Sequence, residues 1–285
     1  MALEPGSDIK FKAPVSDSVE KTLQSLACEL HRGHLLLGLD RDGTLVPIAD
    51  RPEEAKMAPP VAELVHELAA RPDITVAIVS ARSNAMLQAD LPYQNIIFAG
   101  NYGVEIRFPD RTEIVQELAL ASIPHLHKVR NKLGEFTRPG INAILEDHGF
   151  SLCLHWHTVP VEERQQLHDT MEELHDRHHE LLFRKLPTSY EVLPQMEWNK
   201  GQALQTITSH INGVDEKLKS FIYIGDSDAD EAAFAWVNAK QGISVKVASA
   251  GGSTASNFQI SDTTEVLQLL SGLRDLPIGG STDCQ

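Results

Sequence analysis

The chain has 285 residues, 42% of them hydrophobic and 23% charged, with 25 Lys and Arg against 40 Asp and Glu and a formal net charge of −15. That is enough apolar material for one large domain or two modest ones. An acidic surface repels nucleic acid and anionic lipid, so neither is an expected partner, and a negative substrate needs a local remedy such as a metal ion or a helix N-terminus. Three scattered cysteines, Cys28, Cys153 and Cys284, lack a C-x-x-C pair and indicate neither a disulfide framework nor a zinc knuckle. No signal-peptide core and no apolar run of roughly 18 residues occurs, and the simplest reading is a cytoplasmic protein.

Residues 1–17 carry Pro, Gly, Ser and charge without periodicity and read as a flexible end, as do 276–285. Between them, near-continuous apolar runs recur at 34–40, 74–80, 95–100, 220–226 and 243–248. Short runs without clean alternation suit strands buried on both faces of a parallel sheet, and amphipathic segments such as 59–71 supply the helices. The pattern is α/β, a doubly wound parallel sheet. From 118 to 194 the rhythm changes: a helix at 120–135, strands at 141–147 and 150–159, a helix after Pro160, and strands at 181–186 and 189–194. Tight turns at 147–150 and 187–189 imply antiparallel pairing. The segment therefore reads as a smaller α+β domain, α-β-β-α-β-β, inserted into a core made of 18–117 and 195–275.

Three apolar strands end in polar groups: Asp40 with Asp42, Ser80, and Asp226. Ligands of open α/β sheets bind outside the carboxyl ends of the strands, so these endings are expected to converge. Residues i and i+2 of an extended segment project to one side, which lets Asp40 and Asp42 face one site while Arg41 points elsewhere. A type I′ hairpin at Asp42-Gly43 is the competing reading. It needs a following partner strand, and prolines at 47, 52, 59 and 60 suit an irregular flap better. In "YIGDSDADEAAF", 223–234, a calcium loop starting at Asp226 is rejected because its sixth and twelfth positions are Glu231 and Val237. Capping around Asp228 to Glu231 is expected, yet it leaves unexplained why Asp226 directly follows a buried strand. Magnesium, which takes hard oxygen donors, is the preferred ligand there. Ser80 reads equally as a helix cap or a phosphate contact, and Lys200 in isolation reads as a surface lysine.

With "DRDGT" (40–44), Ser80, Lys200 and "GDSDAD" (225–230) in this order, the chain resembles the haloacid-dehalogenase-like phosphohydrolases over roughly 34–250. The insertion between serine and lysine resembles that superfamily's C2B-type cap. Within it the chain is similar to the trehalose-6-phosphate phosphatases, through "LDRDGTLVPI", "VAIVSAR", "AGNYGVEIR", "LEDHGFSLCLHWHTVP", "YEVLPQMEWNKGQAL" and "FIYIGDSDADEAAF". It departs from them at Arg41, where relatives have Tyr, and at Tyr102-Gly103, where they have His-Gly. Relatives also carry Lys near His148, and His-Tyr-Arg in place of His155-Trp156-His157.

The resemblance implies that Asp40 attacks phosphorus and that Asp42 protonates the leaving oxygen and later deprotonates water. It implies Mg2+ held by Asp40, the backbone carbonyl of Asp42 and Asp226, with Asp230 at the metal site or orienting Lys200. Lys200 and Ser80 would hold the phosphoryl oxygens, beside Gly43 and Thr44. Glu146 and Glu191 match sugar-binding positions, and Arg82, Asn101, His148 and His157 occupy nearby substrate positions. His155 and His157 share a strand face, but no third ligand is evident and ordinary strand histidines are the simpler reading. On the cap helix, His168, His175, His178 and His179 read as a solvated polar face, and Leu167, Met171 and Leu174 as its buried stripe.

The function implied is a Mg2+-dependent phosphatase acting on trehalose 6-phosphate, with the cap closing over the substrate. Another glycosyl phosphate is the alternative substrate, and a catalytically silent sugar-phosphate sensor the alternative class. The expected partner is the sugar phosphate, with a sugar-phosphate synthase as the candidate protein partner and a monomer as the expected state.

Overall fold

The computed structural model describes residues 16–49, 51–215, 218–248 and 252–277; residues 1–15 and 278–285 of the two ends read as flexible lie outside the described residues. In chain order the elements are α1 (Asp17–His31), β1 (His34–Leu39), α2 (Pro59–Ala69), β2 (Ile74–Val79), α3 (Asn84–Asp90), β3 (Ile97–Gly100), β4 (Glu105–Arg107), β5 (Glu113–Val115), α4 (Glu117–Leu133), β6 (Ile144–Asp147) and β7 (Leu152–His155). They continue with α5 (Val161–Arg177), β8 (Leu181–Lys185), β9 (Ser189–Pro194), α6 (Lys200–Asp215), β10 (Leu218–Gly225), α7 (Glu231–Ala239), β11 (Ile243–Val247), β12 (Phe258–Ile260) and α8 (Thr263–Asp275). The parallel-dominated sheet is ordered β12-β11-β10-β1-β2-β3-β4-β5, and a separate antiparallel sheet is ordered β6-β7-β9-β8. Among the described residues, no helix is long and apolar enough to cross a membrane.

The chain forms two compact units, one from residues 1–75 with 217–285 and the other from 76–216. In the first, β1 pairs in parallel with β10, Leu36 opposite Phe221 and Leu39 opposite Ile224, and β10 pairs with β11. Leu35, Leu37, Leu39, Tyr223 and Ile224 are buried completely, as near-continuous apolar strands require. Helices α1 and α8 pack together, burying Val19 and Leu26 on one and Val266, Leu269 and Leu273 on the other. Asp17, counted with the flexible start, instead opens α1, because the Ser16 hydroxyl accepts the Val19 amide and caps the helix. Cys153, on β7, is a free thiol.

In the second unit β2 and β3 are parallel, but β3, β4 and β5 run antiparallel. That edge was absent from the sequence reading, since three-residue strands are too short to show a period. The α-β-β-α-β-β order of 117–194 is present, and the turns after β6 and β8 join antiparallel pairs. Leu126 and Val129 of α4, Leu154 of β7, Val192 of β9 and the stripe Leu167, Met171 and Leu174 of α5 form its core. Of the four histidines read as a solvated face, His175 and His179 are exposed, while His168 and His178 are half-buried. His168 Nδ1 meets the Tyr190 hydroxyl at 2.9 Å and lies edge-on to Trp156; His175 lies edge-on to Phe183; His178 ends the helix and meets His125 of α4. Aromatic neighbours on β9, β8 and the 156 turn capture these rings, and no helical period reveals them.

Candidate active site

In the first unit, Asp40 and Asp226 are the first residues beyond β1 and β10, and those neighbouring parallel strands carry them to the same end. The Asp40 amide donates to Ile224 carbonyl at 2.9 Å. One carboxylate oxygen from each of Asp40, Asp226 and Asp230 lies within 4.8 Å of the others, with Asp40 and Asp230 buried. Asp230 is held in place: its oxygens accept the Ser227 amide at 2.9 Å, the Ser227 hydroxyl at 2.8 Å and the Tyr223 hydroxyl at 2.7 Å. This is a capping box, so capping at 228–231 and assembly of the acidic cluster use the same side chain. Complete burial, and then the charges of Asp230 and Asp40, push the Tyr223 hydroxyl far above its usual range and keep it a donor.

Gly43 is what allows the loop after β1 to pass this cluster. Its φ is +80°, and a Cβ there would fall 2.0 Å from Asp226 Oδ2. Amides of Leu45 and Val46 fold back onto the Arg41 carbonyl at 2.8 and 2.9 Å, giving a compact loop with Asp42 bridged to Val46 and not a hairpin. Thr44 is fully buried in it, and its Oγ1 has no hydrogen-bond partner among the described residues.

Arg41 does not point away. Its guanidinium donates to Asp42 Oδ1 at 2.5 Å and to the Ala55 carbonyl at 2.6 Å, and the side chain is 2% exposed against 34% for Asp42. The turn that begins at Asp40 ends the alternation on which the sequence reading relied. Lys246, which carried no sequence signal, is a second buried cation here: its Nζ donates to the Ser227 carbonyl at 2.9 Å and to Glu231 Oε1 at 3.2 Å.

The second unit holds the remaining expected residues. Ser80 follows β2, is buried, and its Oγ accepts the Arg82 amide at 3.2 Å. It is not the cap of α3, which is Ser83. Lys200 is the first residue of α6 and is buried. Asn101, Tyr102 and Gly103 take positive φ in succession, and a Cβ on Gly103 would meet the Ala203 side chain at 2.1 Å. This turn presents Asn101 to the β6–β7 connection: its amide donates to Glu105 at 2.8 Å and the His148 carbonyl at 3.0 Å, and accepts from Ser151 at 2.5 Å.

Across the four-stranded sheet, register places Glu146 opposite Cys153, Cys153 opposite Glu191, and Glu191 opposite Arg184, so one row crosses all four strands. His155 Nε2 lies 2.8 Å from Glu146 Oε1; His148 and Arg82 approach Oε2 at 3.7 and 4.0 Å, ion-pair distances too long for hydrogen bonds. Burial alone would raise the Glu146 carboxyl, but His148 and His155 outweigh it and hold it down at about 2. Burial, then the charges of Glu146 and Glu191, push the Cys153 thiol up to about 12. Glu191 accepts the Tyr102 hydroxyl on one oxygen and Arg184 at 3.3 Å on the other, and Tyr102 is driven well above its usual range by burial and by Glu191. His157 lies beyond β7, near the Thr188 carbonyl at 3.3 Å and with its ring edge-on to His155. The neighbours that complete a donor group with His155 are Glu146 and Cys153. Strand register, which the sequence does not display, is what brings them there.

A mixed α/β core with paired acidic strand ends and a separate antiparallel sheet defines a haloacid-dehalogenase-like hydrolase fold. A solved haloacid dehalogenase-like hydrolase from Bacteroides thetaiotaomicron shares this fold, with 16% identity and a TM-score of 0.59, covering 85% of this chain and 98% of its own. The profile of the trehalose-phosphatase family matches residues 38–265, and the chain belongs to that family. It is similar to the probable trehalose-phosphate phosphatase E of Arabidopsis thaliana, 27% identical over 249 residues that cover 84% of this chain and 70% of that one. Trehalose-phosphate phosphatase B of the same organism is 26% identical over 248 residues, 84% of this chain and 66% of its own. The C-terminal domain of C. albicans trehalose-6-phosphate phosphatase has the same fold, with a TM-score of 0.74 at 21% identity over 93% of this chain and 99% of its own.

Proposed function

We propose that this chain is a phosphoric monoester hydrolase that converts trehalose 6-phosphate to trehalose and phosphate. The observation that carries the reading is the group Asp40, Asp226 and Asp230 at the ends of β1 and β10, in a chain of the trehalose-phosphatase family. Asp40 forms the new bond to phosphorus as the bond to the sugar oxygen breaks, and Asp42 gives its proton to that oxygen. Asp42 then takes a proton from the water that cleaves the aspartyl-phosphate, which releases phosphate and restores Asp40. Arg41, donating to Asp42 Oδ1, holds this carboxyl in place. Ser80 and Lys200 bind the phosphoryl oxygens, with Gly43 and Thr44 in the phosphate loop.

The donor set fits Mg2+: the three clustered groups are hard carboxylate oxygens from the loops after β1 and β10, and Gly43 keeps the first loop clear of Asp226. Asp40, Asp226 and the Asp42 backbone carbonyl would hold the ion, with Asp230 beside them. Bound there, it supplies the positive charge that offsets repulsion between an anionic nucleophile and an anionic phosphate.

Residues 18–117 with 195–275 make the catalytic core in this reading, and 118–194 a C2B-type cap that closes over the sugar. Glu146 and Glu191 receive sugar hydroxyls, with Arg82, Asn101, His148 and His157 around them. A cytoplasmic monomer, with a sugar-phosphate synthase as the candidate protein partner, completes it; cell fractionation, size-exclusion chromatography and co-purification check these points.

The deciding experiment measures phosphate release from a panel of sugar phosphates with Mg2+, with and without chelator. Trehalose 6-phosphate is expected to be preferred and chelator to abolish turnover. Equal hydrolysis of the whole panel would defeat the substrate assignment. A second reading, another glycosyl phosphate as substrate, is favoured by Tyr102, whose hydroxyl occupies Glu191.

A further inference from the structure

We propose that His125, His178 and Glu180 form a second metal site, of the zinc type, which staples α4 to the junction between α5 and β8. His125 Nδ1 lies 3.3 Å from His178 Nδ1 and 3.3 Å from Glu180 Oε2, and all three donor atoms lie within 4.8 Å of one another. Zinc bonds to nitrogen and oxygen of about 2.0–2.1 Å in a tetrahedron set neighbouring donors about 3.3–3.4 Å apart, so both separations match an edge of that polyhedron. The two imidazoles stand at 83° to each other, and without a metal one Nδ1 donates to the other.

Donor chemistry narrows the ion. Two imidazoles and one carboxylate suit zinc and its neighbours in the transition series; magnesium prefers the all-oxygen cluster of the first unit, and no thiolate is present to select a softer ion. Three protein donors leave a fourth position for water.

The site is also well anchored. His125 precedes Leu126 and Glu180 precedes Leu181, and both leucines, with Leu174, belong to the core beneath the four-stranded sheet. The His178 amide donates to Leu174 carbonyl at 3.0 Å, and its own carbonyl accepts the Leu181 amide at 2.9 Å. The ligands therefore arrive from segments 53 residues apart on a backbone already fixed by packing. An ion bound to all three links those segments and stabilises the native state by mass action. None of the three takes part in the phosphatase chemistry proposed above, so the two readings stand or fall separately.

The test uses the full chain, freed of metal with chelator and then held in excess Mg2+. Zinc bound at equilibrium is counted by dialysis, and Co2+ replaces zinc to report geometry by visible absorption. Wild type is expected to bind one zinc equivalent more than H125A/H178A, to show a tetrahedral Co2+ spectrum that the double variant lacks, and to gain melting temperature with zinc where the double variant does not. Glu180 is exposed, so E180Q tests the site without disturbing the core; it is expected to shift the Co2+ spectrum and weaken zinc. E146Q/C153S, which removes the other mixed donor group, is expected to retain the extra equivalent. Equal zinc stoichiometry in wild type and H125A/H178A, or loss of the extra equivalent only in E146Q/C153S, overturns the proposal.

Discussion

The acidic loops beyond β1 and β10 and the polar row across the four-stranded sheet both gather carboxylates, the first beside one another and the second beside side chains of other kinds. Beyond β1 and β10, Asp40, Asp226 and Asp230 each bring a carboxylate oxygen within 4.8 Å of the others, while Arg41 pairs with Asp42 and Lys246 with Glu231 beside them. Like charges at this spacing repel in a poorly solvated site, and a divalent cation bound there would relieve that repulsion. In the row, every carboxylate already has partners, Glu146 from His148, His155 and Arg82, and Glu191 from Tyr102 and Arg184. In the first arrangement acids from two strand ends meet one another; in the second each acid meets a partner of different chemistry from a neighbouring strand or turn. In the function proposed above, chemistry belongs with the first and selectivity with the second.

Substitutions can break this contrast. The largest effect is expected from Asp40→Asn, which removes the nucleophile while keeping the shape: phosphate release should fall roughly 1000-fold or more, mostly in kcat. Gly43→Ala comes next, since its Cβ would fall 2.0 Å from Asp226 Oδ2 at a φ of +80°. Activity should drop by about 100-fold, with the far-ultraviolet spectrum retained. A near-normal rate would show that the loop can open without disturbing Asp226. Arg41→Gln leaves Asp42 without its guanidinium, and a hydrogen bond to a charged group corresponds to roughly a 10- to 100-fold change in kcat.

Two smaller effects sharpen the description of the row. Tyr102→Phe frees one oxygen of Glu191, and kcat/KM should change by about 2- to 10-fold, unequally across a sugar-phosphate panel. A uniform change would mean that Tyr102 only supports the backbone turn. Last, the Glu146 carboxyl sits at about 2 in the native state against 4.5 for the free group. A depressed native value means that its contribution to stability is complete above the unfolded value near 4.5 and is lost as pH falls from there toward 2. Urea unfolding followed over that range should lose part of its pH dependence in Glu146→Gln, and identical slopes would remove Glu146 from the set of stabilised acids.

Much of this was legible before any coordinates. Buried strands announce themselves by unbroken apolar runs, so β1, β2, β10 and β11 were found close to their ends, and the tight turns inside 118–194 revealed antiparallel pairs. Asp40 and Asp226 lie at the strand ends that the apolar runs mark, and Asp230 lies beside them, because strand ends and motif spacing are local properties. The two-strand edge of β4 and β5 escaped because three residues cannot establish a period, and Arg41 was misread because the chain leaves its extended form at the residue where alternation was being used.

By itself, then, the amino-acid sequence determined the class of fold and the acidic strand ends, which rest on patterns within a few residues of each other, and the family, through short motifs read in order along the chain. Tertiary structure alone decided which partners each charge receives: Arg41 for Asp42, Tyr102 for Glu191, His155 for Glu146, His125 for His178. Those pairings join segments as far as 89 residues apart. They depend on strand register and helix packing, which are set by the burial of many apolar side chains at once and leave no mark at any single position.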